Sequence, residues 1–314
     1  MDESVRRFLD VAPAQAPPPD APFGSAEVAE YLRQRRTRAR PARHLEQVDQ
    51  VLEVRTRGGV PARVYIPGCG PERKPLVVYF HGGGWVTGDL DMHDPTCRSI
   101  AARSSSVVVN VDYRLAPEHP FPAPLDDCYE ATQWAMENSP SWGADPALTI
   151  LAGTSAGGNL AAAVAVRRRD AALPPLAGLL LLYPVLDARM QTLSYAEKAA
   201  GYFLTAAEMK FFWDAYVQDG RDRTDPWLSP GLAESLTGLP PSLVITAEHD
   251  PLRDEGNAFA ARLTAESLGA GHLEVPGQIH GFLTVFPGSA AAEEAMSAVL
   301  DAIATMTAAS GKVL

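Results

Sequence analysis

Residues 153–157 read Gly-Thr-Ser-Ala-Gly. The run before them, LTILA, is apolar in the way of a buried strand, and the residues after them, GNLAAAVAV, suit a helix. A serine on so sharp a strand-to-helix turn sits in strained backbone, so its neighbours must be small, which accounts for Gly153 and Gly157. Its hydroxyl then stands at a helix N-terminus, where backbone N–H groups favour negative charge. A serine that merely caps a helix would have a similar composition around it. The strand before and the helix after favour a nucleophile at Ser155.

A serine hydroxyl attacks poorly without a base to take its proton. Of the seven histidines, His280 follows the last strand-like run, in PGQIHGF, and Gly281 lets the chain turn closely beside it. His44, His93 and His272 lack a comparable setting. The base in turn needs a carboxylate to orient it. SLVITAEHDPLRDEG offers Glu248, Asp250, Asp254 and Glu255 just past a strand. Asp250 precedes Pro251, so a turn at the strand's carboxyl end is expected there. Asp254 and Glu255 read as the N-cap and first turn of the next helix. Asp250 is the expected orienter and Asp254 the alternative.

A second glycine cluster, HGGGW at 81–85, follows the apolar run PLVVYF. Three glycines in a row lose much backbone entropy on folding, so something there must need the bare main chain. The stretch lacks the Lys-Ser/Thr ending of a phosphate loop and the GxGxxG spacing of a dinucleotide site.

These residues need elements to position them. Strand-like runs recur at VDQVLEVRT, ARVYIP, PLVVYF, SVVVNVDY, LTILAG, LAGLLLLYP, SLVITAEH and HLEVP. Helical spacing appears in PLDDCYEATQWAMEN, GNLAAAVAVRRR, DEGNAFAARLTAESLGA and AAAEEAMSAVLDAIATM. Such alternation predicts a mostly parallel central sheet covered by helices on both faces. Residues 188–230 break it with helical, aromatic-rich sequence and no strand, as an insertion over the sheet would.

The remaining features exclude more than they assign. The net charge of -11 argues against a general nucleic-acid binder. Six arginines between Arg33 and Arg43 therefore read as the solvated face of a helix after the proline-rich stretch 12–24. Cys69, Cys97 and Cys128 have no CxxC pairing, which suggests neither a disulfide framework nor a zinc site. The N-terminal residues lack the apolar stretch of a signal peptide, and the apolar run 176–186 is too short to span a bilayer. A cytoplasmic protein without membrane or nucleic-acid partners is expected.

HGGGW, DYRLAPEHPFPA, GTSAGGNLA, DPLRDEG and HGF occur in that order. Over roughly residues 50–310 the chain resembles the bacterial hormone-sensitive-lipase-like (family IV) esterases of the α/β-hydrolase superfamily. The resemblance implies an α/β-hydrolase fold with a helical cap. The cap would comprise residues 1–48 and an insertion at 188–230, and the core 49–187 and 231–314. It implies a serine carboxylesterase with Ser155, Asp250 and His280 as catalytic residues, acting on a small-molecule ester with no metal or organic cofactor. It assigns the amides of Gly82, Gly83 and Ala156 to an oxyanion hole, the use that the bare backbone of HGGGW would serve. His81 would pin the glycine loop by hydrogen bonds. Asp112, Arg114 and Glu118 would form a structural polar network near the site.

Thr154 stands where many members carry aspartate, so traits that depend on that aspartate are not implied. Members are often dimeric through the last strand and helix, which leaves a homodimer open. Tyr202, Phe203, Phe211, Phe212, Trp213 and Tyr216 would pack the cap or wall an acyl pocket, and short to medium acyl chains are expected. Two other readings remain: an amidase or deacetylase using the same three residues, and a small-molecule receptor. Receptor relatives have lost the histidine, which is present here.

Overall fold

The computed structural model describes residues 1–11, 17–18, 21–37, 45–218 and 220–310. Two helices open it, α1 (Glu3–Val11) and α2 (Ala26–Arg36). Then follow β1 (Gln50–Arg55), β2 (Pro61–Ile66), β3 (Lys74–Phe80), α3 (Leu90–Ser104), β4 (Val107–Val111), α4 (Ala123–Asn138), β5 (Ala144–Thr154) and α5 (Ala156–Asp170). The chain continues through β6 (Gly178–Leu182), α6 (Leu193–Glu197), α7 (Ala206–Tyr216), β7 (Ser242–His249), α8 (Arg253–Ala265), β8 (Ala270–Ile279), α9 (Phe282–Val285) and α10 (Ala290–Ser310).

The strands form one eight-stranded sheet in the order β1-β2-β4-β3-β5-β6-β7-β8. β2 pairs antiparallel with β1 and β4, and all later pairs are parallel. Strand side chains alternate between two apolar layers, as the strand period of two requires. Leu76, Val78 and Phe80 face Leu125 of α4, Leu160 of α5 and Phe259 of α8. Val77 and Tyr79 face Cys97 and Ile100 of α3 and Val299 and Ile303 of α10. The inner strands are therefore buried on both sides, which is why they read as unbroken apolar runs.

Two elements differ from the sequence reading. α3 was not among the expected helices, because Pro95 falls inside it and its first turns are polar. Its start is nevertheless signalled, since the Asp89 carboxylate accepts the Met92 amide at 2.9 Å in an N-cap. β8 runs past HLEVP to Ile279, across Pro276 and Gly277. It is an edge strand, where a missing N–H is tolerated. A register shift near Ala247 lets pairing resume at His249↔Ile279. That resumption brings Asp250 and His280, each one residue further on, side by side.

α2 and α7 pack together above the strand ends. The Tyr31 and Phe211 rings meet edge-on at 5.1 Å, and Arg35 pairs with Glu208 at 2.6 Å. Arg36 pairs with Glu118 at 2.7 Å and donates to the Val86 and Ala116 carbonyls. Of the arginines expected on a solvated face, Arg35 and Arg36 thus turn inward, where carboxylates and carbonyls receive them. Arg33 pairs with Glu30 on the helix surface. The other three arginines, and His44, lie outside the described residues. Among the described residues no helix is long and apolar enough to cross a membrane.

Candidate active site

Ser155 occupies the single residue between β5 and α5, with φ 55° and ψ -120°. This is sparsely populated backbone for a residue with a side chain, costing on the order of 1–3 kcal/mol. Main-chain bonds hold it there: the Ser155 amide donates to the Leu182 carbonyl at 2.9 Å, and its carbonyl accepts from Val185 at 3.2 Å. A Cβ on Gly157 would lie 1.9 Å from the Phe80 carbonyl oxygen, and one on Gly153 would lie 2.2 Å from that of Gly157. Only glycine fits at either position.

The Ser155 Oγ lies 2.9 Å from His280 Nε2, and His280 Nδ1 lies 2.7 Å from Asp250 Oδ2. A carboxylate only accepts, so Nδ1 carries the proton and Nε2 presents its lone pair to the serine. Asp250 Oδ1 accepts the Leu252 amide at 2.9 Å, which fixes the carboxylate in a turn. Asp250 is fully buried, and Ser155 and His280 are nearly so. The Tyr183 ring meets the imidazole edge-on at 5.0 Å.

The glycine loop faces this group across a cavity of about 900 Å³. The Gly82 amide is already engaged, donating to His93 Nε2 at 3.3 Å. Among the described residues the amides of Gly83, Gly84 and Ala156 have no hydrogen-bond partner. Of the three expected donors, Gly82 is thus engaged elsewhere, while Gly83 and Ala156 are unpartnered and Gly84 stands unpartnered beside them. Gly82 serves instead for close approach, since a Cβ there would lie 3.0 Å from Thr154 Oγ1.

A family profile described as the alpha/beta hydrolase fold matches residues 77–284. The chain is an α/β-hydrolase. It falls in the hormone-sensitive-lipase-like branch. It is 42% identical over 254 residues to a carboxylesterase, NlhH, of Mycobacterium tuberculosis, covering 77% of this chain and 79% of that one. An arylesterase of Saccharolobus solfataricus is 37% identical over 226 residues, covering 71% and 73%. Among solved structures, an ester hydrolase from the metagenome of Lake Arreo superposes with a TM-score of 0.84 at 36% identity, over 99% of this chain and 100% of that one. A hyperthermophilic esterase of Pyrobaculum calidifontis gives 0.79 at 42% identity, over 83% and 87%.

Other residues of this hydrolase follow the sequence reading in part: Glu255 lies in the first turn of α8 and His81 bonds the glycine loop as expected, whereas the rest differ. Asp254, the alternative orienter, accepts the Ser194 amide at 2.8 Å and pairs with Arg253. It does not cap α8, whose N-cap is Leu252. Glu255 is buried and accepts the amides of Leu186 at 3.2 Å and Asp187 at 3.1 Å, although burial pushes its carboxyl well above the ordinary range. Asp112, Arg114 and Glu118 do not form one network. Arg114 pairs with Asp127 at 2.7 Å, Glu118 with Arg36, and the Asp112 amide donates to the Pro61 carbonyl. His81 Nδ1 lies 2.9 Å from the Gly82 carbonyl, and the His81 ring stacks on Tyr113.

The six aromatics between Tyr202 and Tyr216 divide between the cavity and other packing. Phe203 and Phe212 line the cavity. Phe211 packs on α2, Trp213 and Tyr216 pack on Trp85, and Tyr202 stacks on His249. Phe8 of α1 joins Phe203 at the cavity wall, with ring centroids 5.4 Å apart, a contact no local pattern announces.

Proposed function

We propose that this α/β-hydrolase is a serine carboxylesterase that works through an acyl-enzyme intermediate. The observation that carries the proposal is the hydrogen-bonded chain Ser155–His280–Asp250, at 2.9 and 2.7 Å, ending beside unpartnered amides. Ser155 Oγ attacks the ester carbonyl carbon while His280 Nε2 takes the hydroxyl proton. Asp250 keeps the imidazole in its working tautomer and stabilises the imidazolium. The amides of Gly83, Gly84 and Ala156 donate to the carbonyl oxygen as it becomes an oxyanion. His280 then protonates the leaving alcohol and the ester C–O bond breaks. Water, deprotonated by His280, attacks the acyl carbon and releases the acid and free Ser155.

Ser155→Ala should lower turnover of a short aryl ester by at least about 10³-fold. Near-parental activity in that variant would remove Ser155 from the mechanism. The rings of Phe8, Phe203 and Phe212 on the cavity wall favour short to medium acyl chains. A rate series from acetyl to dodecanoyl esters tests this, and a maximum at dodecanoyl would contradict it.

A further inference from the structure

His93 was set aside as a base in the sequence, yet α3 carries it to the glycine loop. Its Nε2 meets the Gly82 amide at 3.3 Å, and its Nδ1 lies 3.1 Å from the Tyr79 hydroxyl. That hydroxyl lies 3.3 Å from Thr154 Oγ1, beside the nucleophile. A backbone amide can only donate, so Nε2 is the acceptor and the proton of the neutral ring sits on Nδ1. Nδ1–H then donates to the Tyr79 oxygen, and the Tyr79 proton goes to Thr154 Oγ1. One arrangement of protons satisfies the whole chain, and all its side chains are buried.

Successive peptide planes of the loop have separate anchors. His93 and the Tyr113 hydroxyl, which donates to the His81 carbonyl at 2.7 Å, hold the plane that carries the Gly82 N–H. His81 Nδ1 holds the Gly82 carbonyl, and hence the plane that carries the Gly83 N–H. The Val86 and Thr87 amides and the Thr87 hydroxyl hold the Gly83 carbonyl, and hence the Gly84 N–H. Gly83 and Gly84 have φ of 125° and 61°, where glycine has no intrinsic preference to hold it. The orientation of the free amides must therefore come from these anchors. Among the described residues the His93 anchor also ties the loop, through Tyr79 and Thr154, to the strand end that carries Ser155.

We infer that His93 is a positioning residue of this enzyme, holding the Gly82 amide so that the Gly83 and Gly84 amides point at the developing oxyanion. The inference rests on the esterase reading above. His93 touches no reacting atom. Its contribution belongs to the transition state, so it should appear in kcat and leave KM nearly unchanged.

The test compares His93→Leu, which fills the space without an acceptor, with His93→Gln, whose amide oxygen can still receive the Gly82 N–H. For a short aryl ester His93→Leu should lower kcat by up to about 10²-fold, the cost of a small misplacement of catalytic groups, at nearly constant KM. His93→Gln should recover most of that loss. A His93→Leu enzyme within about twofold of the parent, or a His93→Gln enzyme as slow as His93→Leu, would overturn the inference. If His93→Leu does not fold, Tyr79→Phe takes its place, because it removes one oxygen, the one that receives His93 Nδ1–H and contacts Thr154 Oγ1. It should lower kcat at constant KM, and an unchanged kcat would equally overturn the inference. Ser155→Ala serves as the control: activity surviving there sinks the esterase reading, whereas an inactive Ser155→Ala beside a fast His93→Leu sinks only the role of His93.

Discussion

The two glycine-rich turns of this hydrolase do different work with the same residue type. Around Ser155, glycine makes room for main chain: Gly157 sits against the Phe80 and His81 carbonyls, and Gly153 against Gly157 itself. Around residues 82–84 the room is mixed and amides are left uncovered: Gly83 sits against the Thr87 carbonyl, Gly82 against both main and side chain of Thr154, and Gly84 against a side chain alone. A Cβ on Gly84 would lie 2.4 Å from the Phe212 ring, and the loop is anchored by His81, His93 and Thr87. The elbow is a rigid main-chain construction with one strained residue. The loop is a permissive backbone held in shape from outside. In the proposed mechanism, rigidity at the nucleophile and borrowed order at the oxyanion donors are two routes to a preorganised site.

The contrast makes unequal predictions. Gly157→Ala should have the largest effect. Its new methyl would meet main-chain oxygen on two sides, so soluble, active enzyme should not be recovered, and no neighbouring side-chain change should rescue it. Recovery of folded protein with near-parental kcat, by melting temperature and ester turnover, would contradict the main-chain account of the elbow. Gly84→Ala should be milder and rescuable. Its φ of 61° costs alanine about 1–2 kcal/mol, and its clash is with a ring that can be removed. In a double-mutant cycle the Gly84→Ala penalty on kcat should shrink in a Phe212→Ala background. Equal penalties in both backgrounds would show that the Phe212 ring is not what constrains the loop.

The same contrast explains what the sequence could reveal. The inner strands were legible because burial on both faces leaves an unbroken apolar run; Ser155 and Asp250 follow such runs, and His280 follows the last strand-like run, the edge strand β8. Local spacing sufficed for them. α3 was hidden by Pro95 and a polar first turn, and the end of β8 by Pro276 and Gly277, which look like a stop unless the partner strand is known. The glycine loop was legible as a need for bare backbone. Which amides it exposes was not, because three identical residues differ only in what distant elements bring to them. His93 decides between Gly82 and Gly84, and nothing near residue 82 in the chain announces His93. The inward turn of Arg35 and Arg36 was hidden for the same reason, since Glu208 and Glu118 are far away in sequence.

The most direct test is a crystal structure of the enzyme after reaction with a small alkyl phosphonate ester. The account predicts phosphorus bonded to Ser155 Oγ, with its oxyanion-like oxygen within hydrogen-bond reach of the Gly83, Gly84 and Ala156 amides and the Gly82 amide still on His93. Phosphorus on any other residue, or that oxygen turned away from Gly84 toward Gly82, would contradict it.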